Sequence, residues 1–72
     1  MGQFENLITR DADILGGIPV FSGTRVPVQT LLDYLEGGHP LDVFLDHFPT
    51  VTRRQAQDVL AVLKRTLLEQ AA

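Results

Sequence analysis

Seventy-two residues make one small domain with a thin core, because a short chain buries a smaller fraction of its surface than a long one. With 44% apolar residues it is expected to fold, and with no cysteine it has neither disulfides nor thiolate metal sites to reinforce that core. A net charge of −3 argues against general nucleic-acid affinity, and no apolar run is long enough to span a bilayer.

The N-terminus lacks the basic region and apolar stretch of a signal peptide, so a cytoplasmic protein is expected. Helix packing or association with another chain is left to complete the core. The charges are unevenly spread. Residues 1–50 carry two arginines against seven carboxylates, whereas residues 51–72 carry Arg53, Arg54, Lys64 and Arg65 against Asp58 and Glu69. That polarity points to two different surfaces.

In chain order, residues 1–6 read as a loose terminus. Leu7-Ile8-Thr9 can form a short strand, and Arg10 to Asp13 reads as a turn in which Asp side chains accept bonds from nearby amides. Gly16-Gly17 opens backbone paths closed to other residues. Ile18 to Phe21 and Thr24 to Val26 are rich in β-branched and aromatic residues, and Ser22-Gly23 between them predicts a two-residue hairpin turn. Pro19 and Pro27 lack an amide donor, which keeps that hairpin short.

Helical periodicity then takes over. Val28, Leu31, Leu32 and Leu35 follow the i, i+3, i+4, i+7 pattern, and Gly37-Gly38 ends this first helix. Pro40 suits the first position of a second helix with Leu41, Phe44, Leu45 and Phe48 on one face, and Pro49 closes it. Thr52 and Gln55 form a capping-box pattern before a third helix. Its apolar face carries Ala56, Val59, Leu60, Leu63 and Leu67, and its opposite face gathers Arg53, Arg54, Gln57, Asp58, Lys64 and Arg65. The expected organisation is one domain over 1–72, with strands and hairpin over 7–27 and three helices over 28–70. It is mainly α, and the short link between helices two and three is the helix-turn-helix pattern.

Gly16-Gly17-Ile18-Pro19, Ser22-Gly23-Thr24-Arg25-Val26-Pro27-Val28, Gly37-Gly38, Phe48-Pro49 and Thr52 together resemble the signature of domain-of-unknown-function family 433, over about Ile8 to Leu67. His39-Pro40 departs from it, standing where a small polar helix cap is more usual. The resemblance implies a homeodomain-like or winged three-helix fold. It also implies an antitoxin-like role beside a nuclease toxin of PIN-like fold.

Four groups of residues are candidates for function. Gly23, Thr24 and Arg25 either make a turn and begin a strand, or present Arg25 to the clustered carboxylates of such a nuclease through bidentate bonds. Arg53, Arg54, Gln57, Lys64 and Arg65 either form an ordinary solvated face or meet DNA, with Gln57 reading adenine and the cations holding phosphate. His39, Asp42 and Asp46 share a helical spacing but read as a solvated face, and His47 as packing or capping the helix end, so no metal or cofactor is expected. Val43, Val62 and Leu68 lie off the main stripes, and with partly exposed Tyr34 and Phe21 they point to an association surface and a homo-oligomer. No nucleophile arrangement, P-loop or dinucleotide fingerprint is present, which argues against an enzyme. The expected function is an antitoxin that neutralises a PIN-like ribonuclease and can autoregulate its operon; the alternative is a DNA-binding regulator of helix-turn-helix type.

Overall fold

Two short strands, a single 3-10 turn at Leu15–Gly17 and three α-helices make up the described residues, 7–71, of the computed structural model. Strand β1 (Ile8–Thr9) pairs antiparallel with β2 (Val20–Phe21), placing Ile8 opposite Phe21 and Thr9 opposite Val20. Helix α1 covers Val28–Glu36, α2 Leu41–His47 and α3 Arg53–Ala71. The expected loose terminus, residues 1–6, lies outside the described residues.

The strand pair differs from the predicted hairpin in its partners. Thr24–Val26 is not a strand; that side of β2 holds only a bridge between Val20 and Pro27. The Phe21 N–H donates to the Val26 carbonyl at 3.0 Å, so the enclosed loop is Ser22–Arg25 rather than two residues. Pro27 has no N–H to extend the ladder. β2 instead uses its other edge for β1, reached through the Asp11 turn. There Asp13 N–H donates to the Asp11 carboxylate at 2.8 Å, and Ile14 N–H donates to the Asp11 carbonyl at 2.8 Å.

The helix ends follow local rules. The Val28 N–H at the start of α1 donates to the Pro19 carbonyl at 3.1 Å, which ties the helix to the glycine–proline segment. At its other end Gly38 takes φ +87°, its N–H bonds Leu35 O at 3.0 Å, and the His39 N–H bonds Tyr34 O at 2.9 Å. This is the Schellman arrangement, completed by the His39 ring against Tyr34 at 5.5 Å. Pro40 sits one residue earlier than expected, as the N-cap of α2 rather than its first residue. The α2–α3 link is five residues, Phe48 to Thr52, and Val51 within it is buried.

The core is built from Phe21, Val26, Val28, Leu31, Phe44, Val51, Ala56 and Val59, so loop, link and all three helices contribute. Phe44 is its centre, with ring centroids 6.1 Å from Phe21, 5.6 Å from Tyr34 and 5.1 Å from Phe48. Phe21 is fully buried and Val62 nearly so, against the expectation that both stood off the core. Phe21 is carried inward by the paired β2, and Val62 continues the line Val59 begins on α3. Leu67 corrects the pattern in the opposite sense: it is 67% exposed, because α3 runs about 28 Å and outlasts the body it packs on.

α3 begins on the predicted capping box. Gln55 N–H donates to Thr52 Oγ1 at 3.1 Å, and the Thr52 N–H donates to Gln55 Oε1 at 3.0 Å. The same Gln55 amide also donates from Nε2 to the Ser22 carbonyl at 2.9 Å. Thr52→Ala removes only the cap and should cost about 1 kcal/mol. Gln55→Ala removes the reciprocal cap bond and leaves the half-buried Ser22 carbonyl without its donor, so its cost should be about 2 kcal/mol. Urea unfolding midpoints of the two variants check that order.

Candidate functional site

The Ser22–Arg25 loop is held from inside and from outside. Within it, the Thr24 N–H donates to the Phe21 carbonyl at 3.0 Å, and Thr24 Oγ1 donates to the same oxygen at 2.8 Å while accepting from the Val26 N–H at 3.0 Å. Gly23 takes φ +78° at the second corner position, whereas Ser22 does not enter the positive region. That is the requirement of a type II corner rather than the type I′ turn of a two-residue hairpin. From outside, Gln55 clamps the Ser22 carbonyl, and the Thr9 and Ser22 hydroxyls share a bond at 3.1 Å.

Gly23 and Thr24 therefore have structural work. Arg25 has none that the described residues reveal: it is exposed and, among them, has no hydrogen bond or ion pair. It stands at an open concavity of about 560 Å³ lined also by Thr9, Ile14, Gly23, Thr24, Val26 and Thr50. Thr9, Ile14 and Thr50 were not legible as neighbours of Arg25, because they come from β1, the turn after it and the α2–α3 link. No local spacing in the chain connects them. Next to Ile14, Leu15 is the one non-glycine among the described residues with positive φ (+49°), and its side chain is 54% exposed.

The second candidate surface lies along α3. Arg53, Arg54, Gln57, Lys64 and Arg65 are all exposed, as their helical spacing requires. From Arg54 to Arg65 they span about 16 Å of helix. The first-turn arginines are engaged: Arg53 pairs with Asp42 of α2, and Arg54 with Asp58 one turn along at 3.3 Å. Such exposed pairs contribute at most about 1 kcal/mol each, but they offset the cations locally. Lys64 and Arg65 have no ion pair among the described residues and border a shallow concavity of about 350 Å³ with Ala61 and Leu68.

The histidine–aspartate positions of α2 do not converge. Asp42 turns to Arg53, the His39 ring lies tilted at 52° against Tyr34, and His47 Nδ1 bonds the Tyr34 hydroxyl at 2.8 Å. No metal-holding cluster of three or more such groups occurs among the described residues. No described helix is long and apolar enough to cross a membrane.

Comparison with known proteins adds kinship to this geometry. Residues 8–61 match the sequence profile of the family described as a protein of unknown function, DUF433. Uncharacterized protein y4eO of Sinorhizobium fredii is 40% identical over 45 residues, covering 62% of this chain but only 20% of that protein. This chain thus spans about a fifth of that relative's length. A crystal structure of a DUF433 member from Anabaena variabilis shares the fold with a TM-score of 0.71 at 24% identity, over 92% of this chain and 65% of that one. The profile match runs from the first strand well into α3 and includes both the glycine–proline segment and the capping box, so the chain belongs to the DUF433 family.

Proposed function

We propose that this protein is an antitoxin that binds and neutralises a cognate PIN-like ribonuclease, with Arg25 as the anchor of the contact. One observation carries the reading: a guanidinium with no intramolecular partner among the described residues stands on a loop fixed by several hydrogen bonds. A fixed loop loses little entropy on docking. A guanidinium matches paired carboxylate oxygens in a bidentate fork, which is the chemistry a carboxylate-lined nuclease site presents. In this reading Gly23 and Thr24 shape the loop, and the chain acts by binding, with no turnover of its own.

A second reading, a homeodomain-like or winged helix-turn-helix regulator of the same operon, draws on the exposed α3 face. The Arg53–Asp42 and Arg54–Asp58 pairs leave that face Gln57, Lys64 and Arg65 as its unengaged donors. Two phosphate contacts per chain give a slope of log K against log salt of only about −2. Gel retardation of the chain's own promoter should therefore show only weak binding that falls about tenfold between roughly 50 and 200 mM salt. A tight shift with a much steeper salt slope by this chain alone would favour the regulator.

The antitoxin reading is tested by co-expression with the product of the adjacent reading frame, followed by sizing and growth rescue. Arg25→Ala should weaken the complex by at least thirtyfold, about 2 kcal/mol, because it leaves buried carboxylates unpaired. The same change should leave the unfolding midpoint of the free protein nearly unaltered. Arg25→Lys should recover only part of the binding, since an ammonium cannot form the fork. Undiminished binding and rescue by Arg25→Ala would sink the anchor.

A further inference from the structure

Two exposed quartets with the same helical spacing lie on different helices. On α1 they are Gln29, Leu32, Asp33 and Glu36; on α3 they are Ala61, Lys64, Arg65 and Leu68. Each follows i, i+3, i+4, i+7 and so forms one continuous face about two turns long. Each places one exposed leucine beside two charges of a single sign, with Leu32 at 37% and Leu68 at 59% exposure. The signs are opposite. Among the described residues, neither the two carboxylates nor the two cations has an ion pair, although Asp42, Arg53, Arg54 and Asp58 do. On α3 the small Ala61 leaves a shallow, open depression bordered by Lys64, Arg65 and Leu68.

We propose that a second copy of this chain docks across these faces, the outer face of α3 on one copy meeting the outer face of α1 on the other. Leu32 packs over Ala61 and Leu68, while Asp33 and Glu36 meet Lys64 and Arg65. A second copy satisfies both faces through charge complementarity, because the chain carries two unpaired carboxylates on one exposed face and two unpaired cations on the other among its described residues. Two short helical faces bury little area, so the contact is weak and reversible, and its ionic part is screened by salt. It uses none of the residues assigned to the Arg25 loop, so it stands or falls independently of the antitoxin reading.

Sedimentation velocity of the full chain at roughly 0.5 mM, in about 25 mM and about 500 mM salt, reads the association directly. The wild-type chain should sediment above the monomer at low salt and as monomer at high salt. Asp33→Lys with Glu36→Lys makes both faces basic, and Lys64→Glu with Arg65→Glu makes both acidic. Each double variant alone should be monomeric, whereas an equimolar mixture should associate, since every α1–α3 contact between unlike variants is complementary. The neutral pair Lys64→Gln with Arg65→Gln should weaken association several-fold, and it guards against a charge-reversed chain that fails to fold, as judged by circular dichroism. A monomeric wild type at low salt, unaltered association of either reversed variant, or a mixture that stays monomeric would overturn the proposal. A monomeric wild type that retards DNA through Lys64 and Arg65 would also overturn it, assigning the basic face to nucleic acid.

Discussion

The side-chain amide of Gln55 joins two parts of the chain that sequence separates by more than thirty residues. Its oxygen accepts the Thr52 N–H and so starts α3, while its nitrogen holds the Ser22 carbonyl at the loop corner. Both ends of the amide are satisfied in one rotamer, so the start of α3 and the position of the loop are not independent. Phe21, one residue before that carbonyl, is buried in the core beside Phe44. The amide thus works with a hydrophobic contact at the same point. A domain with so thin a core gains from such coincidence, since each ordered residue must offset its own loss of conformational entropy.

What the sequence revealed and concealed divides along the range of the interaction. The Schellman end at Gly38, the capping box of Thr52 and Gln55, and the Asp11 turn are closed by bonds within a few residues, and each was readable from residue type and spacing. The partner of β2 was not. Whether Val20–Phe21 pairs with the segment after it or with β1 before it depends on which edge is left free, and Pro27 removes donors from one edge only in three dimensions. Periodicity likewise placed Leu67 on the apolar stripe of α3 but could not say where the body beneath that stripe ends. Gln55 was legible as a cap, whereas its bond to Ser22 had no local signature at all.

The candidate site was half legible for the same reason. The Gly23-Thr24-Arg25 run stood out by composition, and the structure divides its labour: the glycine supplies the positive φ, the threonine hydroxyl closes the corner, and the arginine is left exposed. The concavity beside Arg25 is assembled from the first strand, the turn after it and the α2–α3 link, so no stretch of sequence contains it. The basic face of α3 was legible as a face, and Arg54 and Asp58 stand at the i, i+4 spacing that pairs them, whereas the partner of Arg53 lies on another helix and has no local signature. Asp42 and Asp58 answer Arg53 and Arg54, one across helices and one along the helix.

That redistribution of charge bears on how such a small chain can hold more than one contact. The arginines near the α2–α3 link are spent on holding two helices and one helical turn, which confines unpaired positive charge on α3 to its C-terminal half. The unpaired carboxylates of α1 are confined in the same way to its outward face. Arg25 belongs to neither set, because its loop is anchored through Ser22 to the first turn of α3 and not to that helix's outer quartet. The rigid loop and the two helical faces are therefore separate in residues and in chemistry. The first offers a single fork-shaped donor on a fixed backbone, suited to a buried carboxylate. The second offers shallow, screened and mutually complementary faces, suited to a reversible contact between copies.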